Sequence, residues 1–354
     1  MADSPAPSDE VAPLRVGFLG AGLIARHHAR SLRIGGAPLR WVGVHDPDRA
    51  RAERFAREIR GEVFASEQAL IEASDAVYVC TWTSEHPRLA TAAAAAGRHV
   101  FCEKPLAVDL GAAQAMVDAV RAAGVTNQVG LVLRSSPGFA LLRALLEVAP
   151  VGRVVNVTFR DDQELPVGGS YGSTWRLDAG RAGAGTLLEH SIHDLDIIEH
   201  LCGPIGAVSA HTAALGGHAG IEDTASLSFR LAGGGTGALT SIWHAIPGRF
   251  SNRRVEIFCE RARLWAEGNM AETVGWEFRA GEPIVVSGDE RTVALREHGG
   301  SPPPNPDRAF VLAAARARPS SPDFATALRA HAVADAAYRS AAAGGGGIAI
   351  PPPR

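Results

Sequence analysis

Residues 15–25 read Arg15-Val16-Gly17-Phe18-Leu19-Gly20-Ala21-Gly22-Leu23-Ile24-Ala25. A short apolar run ends at a glycine, and a helical pattern begins within three residues. Continuously apolar strands of this kind are buried on both faces, which is the habit of parallel sheets. The rhythm continues outward. Leu39–Val44, Ala76–Cys80, His99–Phe101 and Gln128–Leu133 read as further strands. Between them, Ile24–Ile34, Pro47–Ile59, Pro87–Ala96 and Leu110–Ala123 read as helices. Alternating strands and helices with right-handed crossovers give a doubly wound α/β unit over residues 13–135.

From Val151 the pattern changes. Arg153–Phe159, Thr224–Leu231, Gly237–His244 and Arg254–Phe258 alternate apolar and polar residues, as antiparallel strands with one wet face do. One helix is expected over Thr186–Leu201, and two Ala-rich helices over Asp307–Arg316 and Phe324–Ala342. Residues 136–350 are therefore expected to form an α+β domain with a mostly antiparallel open sheet. A sheet face left open would be covered by self-association, giving a homodimer or homotetramer. Residues 1–12, rich in Pro, Ser and acids, read as a flexible leader and not as a signal peptide.

Composition narrows the function. The 354 residues carry 35 Lys+Arg against 38 Asp+Glu, with no basic block. Nucleic-acid binding needs such a block, so it is set aside. No apolar run is long enough to span a membrane. The four cysteines, Cys80, Cys102, Cys202 and Cys259, form no C-x-x-C pair and read as reduced thiols of a cytoplasmic protein.

The glycine-rich segment carries chemistry. Gly20 permits a tight turn, Gly22 lets backbone approach a pyrophosphate, and Ala25 keeps helix and strand close. The helix start, with Leu23 and Ile24, offers N–H groups to phosphates. Asp46, at the end of the second strand, suits the adenosine ribose hydroxyls and disfavours a 2′-phosphate. That reading favours NAD; Arg49 and Arg51 nearby leave NADP open, and a helix cap is the structural alternative for Asp46.

Three further segments resemble the Gfo/Idh/MocA oxidoreductases, which include glucose–fructose oxidoreductase and inositol dehydrogenase. Gly97–Ala107 contains Glu103-Lys104-Pro105; Thr81-Trp82-Thr-Ser-Glu-His86 precedes it; Gly183–Asp196 contains Glu189 and His193. Glu222-Asp223-Thr-Ala and Asp335–Ser340 also look like family segments. The resemblance covers nearly the whole chain after the leader. It implies a Rossmann domain followed by a substrate domain, and hydride transfer between a nicotinamide and a CH–OH carbon of a sugar, inositol or related polyol.

Lys104 sits at the carboxyl edge of the sheet and can stabilise charge on the reacting oxygen; alternatively it is a surface lysine paired with Glu103. His193 suits a general base, and Glu189, where the family usually has Asp, can orient the imidazole or a substrate hydroxyl. Glu189 and His193 are expected to share one face of a continuous helix. Glu103, Thr81 and His86 are candidates for the cofactor side, with His86 read equally as a packed histidine. Trp82 stands where the family has proline. Tyr171, Trp175, Arg176 and His190 are candidate substrate contacts, or anchors of their loop. No metal is expected: the acids and histidines of the second-domain helix span more than one face. Two alternatives stay open: a tightly held NAD that cycles during elimination, epimerisation or glycoside cleavage, and a non-catalytic NAD(P)-binding sensor.

Overall fold

A computed structural model of the chain describes residues 11–148, 151–167, 173–279 and 281–353. The expected flexible leader (residues 1–12) falls largely outside them, as does Tyr171.

The first layer is a parallel sheet of six strands: β1 (Leu14–Leu19), β2 (Leu39–His45), β3 (Glu62–Val63), β4 (Ala76–Val79), β5 (His99–Cys102) and β6 (Asn127–Val129). Their order is β3-β2-β1-β4-β5-β6, the doubly wound arrangement with its switch point between β1 and β4. Helices α1 (Leu23–Ile34), α2 (Arg49–Ile59), α3 (Glu67–Ala73), α4 (His86–Ala95) and α5 (Leu110–Ala123) cross over between strands. Register puts Phe18, Tyr78 and Phe101 side by side on one face. The Phe18 and Tyr78 rings stack at 5.0 Å, and Tyr78 and Phe101 at 4.7 Å.

The second layer holds nine strands: β7 (Val154–Glu164), β8 (Ile205–Ala213), β9 (Thr224–Leu231), β10 (Thr236–His244), β11 (Asn252–Cys259), β12 (Ala262–Glu267), β13 (Thr273–Phe278), β14 (Ile284–Ser287) and β15 (Ile348–Ala349). The order is β14-β13-β12-β11-β7-β10-β9-β8-β15. Every pairing is antiparallel except β7 with β10. The remaining helices are α6 (Pro137–Val148), α7 (Ala179–Ala182), α8 (Ile192–Cys202), α9 (Glu290–Glu297), α10 (Pro306–Ala315) and α11 (Phe324–Ala342). α6, α8 and α11 pack on one face of this sheet through Leu141, Leu145, Leu195, Ile198, Val333 and Ala337.

Three expectations are corrected. The strand expected over Gln128–Leu133 ends at Val129, and the chain enters a 3₁₀ turn at Val132–Ser135. The helix expected over Thr186–Leu201 is two pieces: a π turn, Thr186–His190, and α8 from Ile192. The open sheet face is largely polar, with Ser226, Ser228, Arg230, Thr236 and Arg254 exposed, so apolar burial alone does not require it to be covered.

The last helices return to the first layer. Phe310 of α10 closes edge-on against Tyr78 and Phe101, 5.6 Å from each. Phe324 of α11 is buried beside Met116 and Val129.

Candidate active site

The glycine turn has the shape a dinucleotide needs. Gly20 adopts φ +94°, and a Cβ there would lie 2.5 Å from the Cys80 carbonyl oxygen, so only glycine fits. A Cβ at Gly22, in contrast, would meet no atom of the described residues within 4 Å. Gly22 is the N-cap of α1 and supplies no capping side chain, and the first turn contains no acid. Free N–H groups and open space therefore coincide, which is the cradle a pyrophosphate fills. Leu23 and Ile24 are exposed at this helix start. Asp46 does not cap α2; Asp48 does, accepting from Arg51 N–H. Asp46 accepts the main-chain N–H of Ala21 at 2.8 Å and of Asp48 at 2.8 Å, tying the second strand to the glycine turn. Arg51 approaches Asp46 at 3.7 Å.

Lys104 lies on the loop after β5, at the carboxyl edge of the sheet, ahead of a cis peptide to Pro105. Its main-chain N–H donates to Glu103 Oε2 at 3.1 Å, but its ammonium does not pair with that carboxylate. Its Nζ donates to the main-chain oxygen of Glu189 at 2.6 Å and lies 3.6 Å from Glu189 Oε1. An ammonium has three donors, so the ion retains hydrogen-bonding capacity for a substrate oxygen. Glu103 instead turns inward. It meets His28 Nε2 at 2.7 Å, while His28 Nδ1 meets Asp307 at 2.7 Å. Burial works against charge on His28, but the two carboxylates overcome it and raise its pKa to about 10. An imidazolium thus joins α1, the Lys104 loop and α10.

His86 is 1% exposed, with Nδ1 2.9 Å from the Pro105 carbonyl and Nε2 3.3 Å from that of Thr81. It holds two loops together, both ring nitrogens facing main-chain carbonyls, which fits the packed alternative better than the cofactor-side one. Thr81 sits half-exposed beside Gly20, at the rim of the glycine turn. Trp82 reaches across to the second layer, where the Arg181 guanidinium stacks over its ring at 3.9 Å.

Glu189 and His193 come to the Lys104 loop from opposite sides of the break at Ser191. Glu189 is buried and accepts from Arg176 Nε at 2.7 Å. Burial alone would raise its pKa, yet the Arg176 and Lys104 cations hold it below the usual carboxylate range. Arg176 also stacks on Trp175, 4.5 Å from the ring centre. His193 is 8% exposed, and its Nδ1 has no hydrogen-bond partner among the described residues. Burial, then the neighbouring Lys104 and Arg253 cations, push its pKa well below 6.5. It is a neutral base at neutral pH.

His190 is held by Asp161, Nε2 to Oδ2 at 2.7 Å. Arg253 bridges Asp161 at 3.2 Å and Asp194 at 2.6 Å, all three being buried. The acids further along α8 also find arginines, Asp196 with Arg134 and Glu199 with Arg329. His28, Asp161 and Arg253 escaped the reading of the sequence. Each sits in an ordinary amphipathic or alternating pattern; the signal lies in charged residues at positions where that pattern demands apolar ones.

Comparison with known proteins agrees with this fold. A family model described as "Oxidoreductase family, NAD-binding Rossmann fold" matches residues 14–131, and one for the "GFO/IDH/MocA C-terminal domain" matches residues 139–265. The chain is 31% identical to a myo-inositol 2-dehydrogenase of Thermotoga maritima over 270 residues, 73% of this chain and 77% of the relative. It is 28% identical to an inositol 2-dehydrogenase of Rhizobium meliloti over 339 residues, 93% and 97% of the two chains. A solved levoglucosan dehydrogenase in complex with NADH superposes with a TM-score of 0.84 at 23% identity, over 96% of this chain and all of the other.

Proposed function

Because the chain belongs to the GFO/IDH/MocA family of NAD-dependent oxidoreductases, we propose that it oxidises a secondary alcohol of an inositol, sugar or related polyol, reversibly, with Lys104, His193 and Glu189 at the reacting carbon. The enzyme is a dehydrogenase acting on CH–OH groups, and its cofactor is NAD. The observation that carries the residue assignment is the convergence of Lys104 Nζ on the Glu189 turn, 2.6 Å from its main-chain oxygen, beside a neutral, buried His193.

NAD⁺, when bound, would supply the hydride acceptor; the Gly20–Gly22 turn would hold its pyrophosphate and Asp46 its adenosine ribose. Lys104 donates a hydrogen bond to the substrate oxygen and stabilises the negative charge that grows there. His193 takes the hydroxyl proton at Nε2, since Nδ1 is buried away. Glu189, fixed by Arg176, holds the ammonium in place and orients a neighbouring hydroxyl. Trp175 and Arg176 border the substrate, and Trp82 with Arg181 closes the loop of the first layer onto the second. Asp46 supports NAD over NADP. On this reading the chain self-associates as a dimer or tetramer; a monomer by light scattering at micromolar concentration would contradict this.

The test is a panel of inositols, aldoses and sugar acids with NAD⁺ and NADP⁺. NADH accumulation with at least one polyol is expected. Turnover without accumulation would move the reading to a cycling cofactor, and NADH binding without any turnover to a sensor.

A further inference from the structure

The π turn that carries Glu189 is held at its start by two residues from distant parts of the chain. A helical turn begins with N–H groups that have no partner inside it, and Gly185, at the cap position, has no side chain to offer. Here every one of the first four is taken. Gly185 N–H donates to Glu222 Oε2 at 2.7 Å and Leu187 N–H to Glu222 Oε1 at 2.9 Å. Thr186 N–H donates to the Glu222 main-chain oxygen at 2.9 Å, and Leu188 N–H to the Tyr338 hydroxyl at 3.1 Å. The Tyr338 hydroxyl in turn donates to Glu222 Oε1 at 2.8 Å, closing the set. Approach is so close that a Cβ at Gly185 would lie 1.9 Å from the Glu222 carbonyl oxygen. The next residue after the last held N–H is Glu189, whose main-chain oxygen receives Lys104 and whose carboxylate receives Arg176.

We propose that Glu222 and Tyr338 are positioning residues for the dehydrogenase site: together they set where Glu189 presents its carbonyl and carboxylate to Lys104. The inference rests on the proposed roles of Lys104 and Glu189. Neither Glu222 nor Tyr338 touches substrate; each acts through the turn. A cavity of about 450 Å³ lies on the far side, lined by Gly183, Leu188, Glu222, His331 and Tyr338 among others, and by none of Lys104, Glu189 or His193. The clamp therefore grips the turn from behind, outside the reacting centre. Burial raises the pKa of both Glu222 and Tyr338, in keeping with a site where the hydroxyl proton stays on the phenol.

Tyr338→Phe and Glu222→Gln test this, with Ser340→Ala as the control. Ser340 lies on the same helix and makes buried hydrogen bonds to Gly346 and Ala210, away from the turn. Misplacing reacting groups lowers turnover more than binding, so kcat per NADH-binding site should fall about tenfold or more in Y338F and E222Q. NADH affinity should stay within about twofold by the same reasoning, since the glycine turn is untouched. S340A should lose comparable thermal stability and keep its kcat. Amide hydrogen exchange over residues 185–193 should rise in Y338F and not in S340A, a readout independent of activity. Unchanged kcat in both clamp variants, or unchanged exchange in Y338F, would overturn the inference. A wild type inactive on every polyol would overturn the proposed function instead, and the exchange comparison would still decide whether the clamp holds the turn.

Discussion

At the scale of single residues, the proposed chemistry turns on a group whose charge is set by its surroundings. His193 is neutral because it is buried beside the Lys104 and Arg253 cations, and a neutral imidazole is what proton removal requires. Its pKa is lowered, so the base survives acidification further than an ordinary histidine. The acid limb of kcat/KM is therefore expected below pH 6.5, and His193→Asn should lower kcat by about 10²- to 10⁴-fold while leaving NADH binding intact. A limb centred above neutrality, unmoved by the substitution, would assign the base elsewhere. The two glycines of the turn make a second pair of expectations. Gly20→Ala forces a Cβ against the Cys80 carbonyl at a positive φ and should lower Tm. A Cβ at Gly22 meets only open space, so in Gly22→Val Tm should hold while NADH affinity falls at least about tenfold. Equal Tm losses in both, with NADH affinity preserved in G22V, would remove the pyrophosphate from this turn.

At the scale of elements, His28 couples three of them: α1, the Lys104 loop and α10. Its pKa is raised from 6.5 to about 10 by Asp307 and Glu103. A raised pKa means that the stabilisation is fully present below pH 6.5, where the imidazole is protonated whether folded or not. It is lost as pH climbs through the window up to about 10. Thermal unfolding of the wild type across that window should show an alkaline loss, at most about 1.4 kcal/mol per unit from this one group. A His28→Leu/Glu103→Gln/Asp307→Asn variant, neutral throughout, should lack that part of the slope. His28→Leu alone strands two buried carboxylates and should cost about 3–5 kcal/mol at neutral pH. An alkaline slope identical in wild type and triple variant would show that the imidazole is not charged in the folded protein.

Elements also show where reading the sequence stops. The glycine turn was plain because strand, turn and helix are local and each glycine has its own reason, a tight turn at Gly20 and room for a phosphate at Gly22. The break at Ser191 was not. Leu187, Leu188, Ile192, Leu195, Ile197 and Ile198 are all buried, so an apolar pattern all the way round conceals where one helical piece ends and the next begins. The groups that stabilise the interruption are Glu222 and Tyr338, 37 and 153 positions beyond Gly185, and no local periodicity reports them. His86 shows the same limit differently: its position in a family-like segment pointed to the cofactor, while its ring nitrogens face two backbone carbonyls.

At the scale of the whole molecule, two sheets of different kinds bring together the residues proposed for one reaction. The first supplies the glycine turn and Lys104; the second supplies Glu189, His193 and Arg176. α10 packs on the first layer through Phe310, and α11 joins the halves, with Phe324 in the first layer's core and Val333 and Ala337 in the second's. The parallel sheet and the alternation of the second layer were readable from residue patterns. That return of the chain was not, because Ala-rich helices fit either layer. Deuterium transfer tests the assembled site most directly. An inositol deuterated at its reacting carbon is incubated with NAD⁺ and either wild type or Lys104→Met, and the mass of the NADH formed is followed with time. Deuterated NADH from the wild type is expected, with transfer slowed by about 10²- to 10³-fold in K104M although NADH binds both equally. Transfer at the same rate in both proteins would contradict the placement of Lys104 at the reacting oxygen.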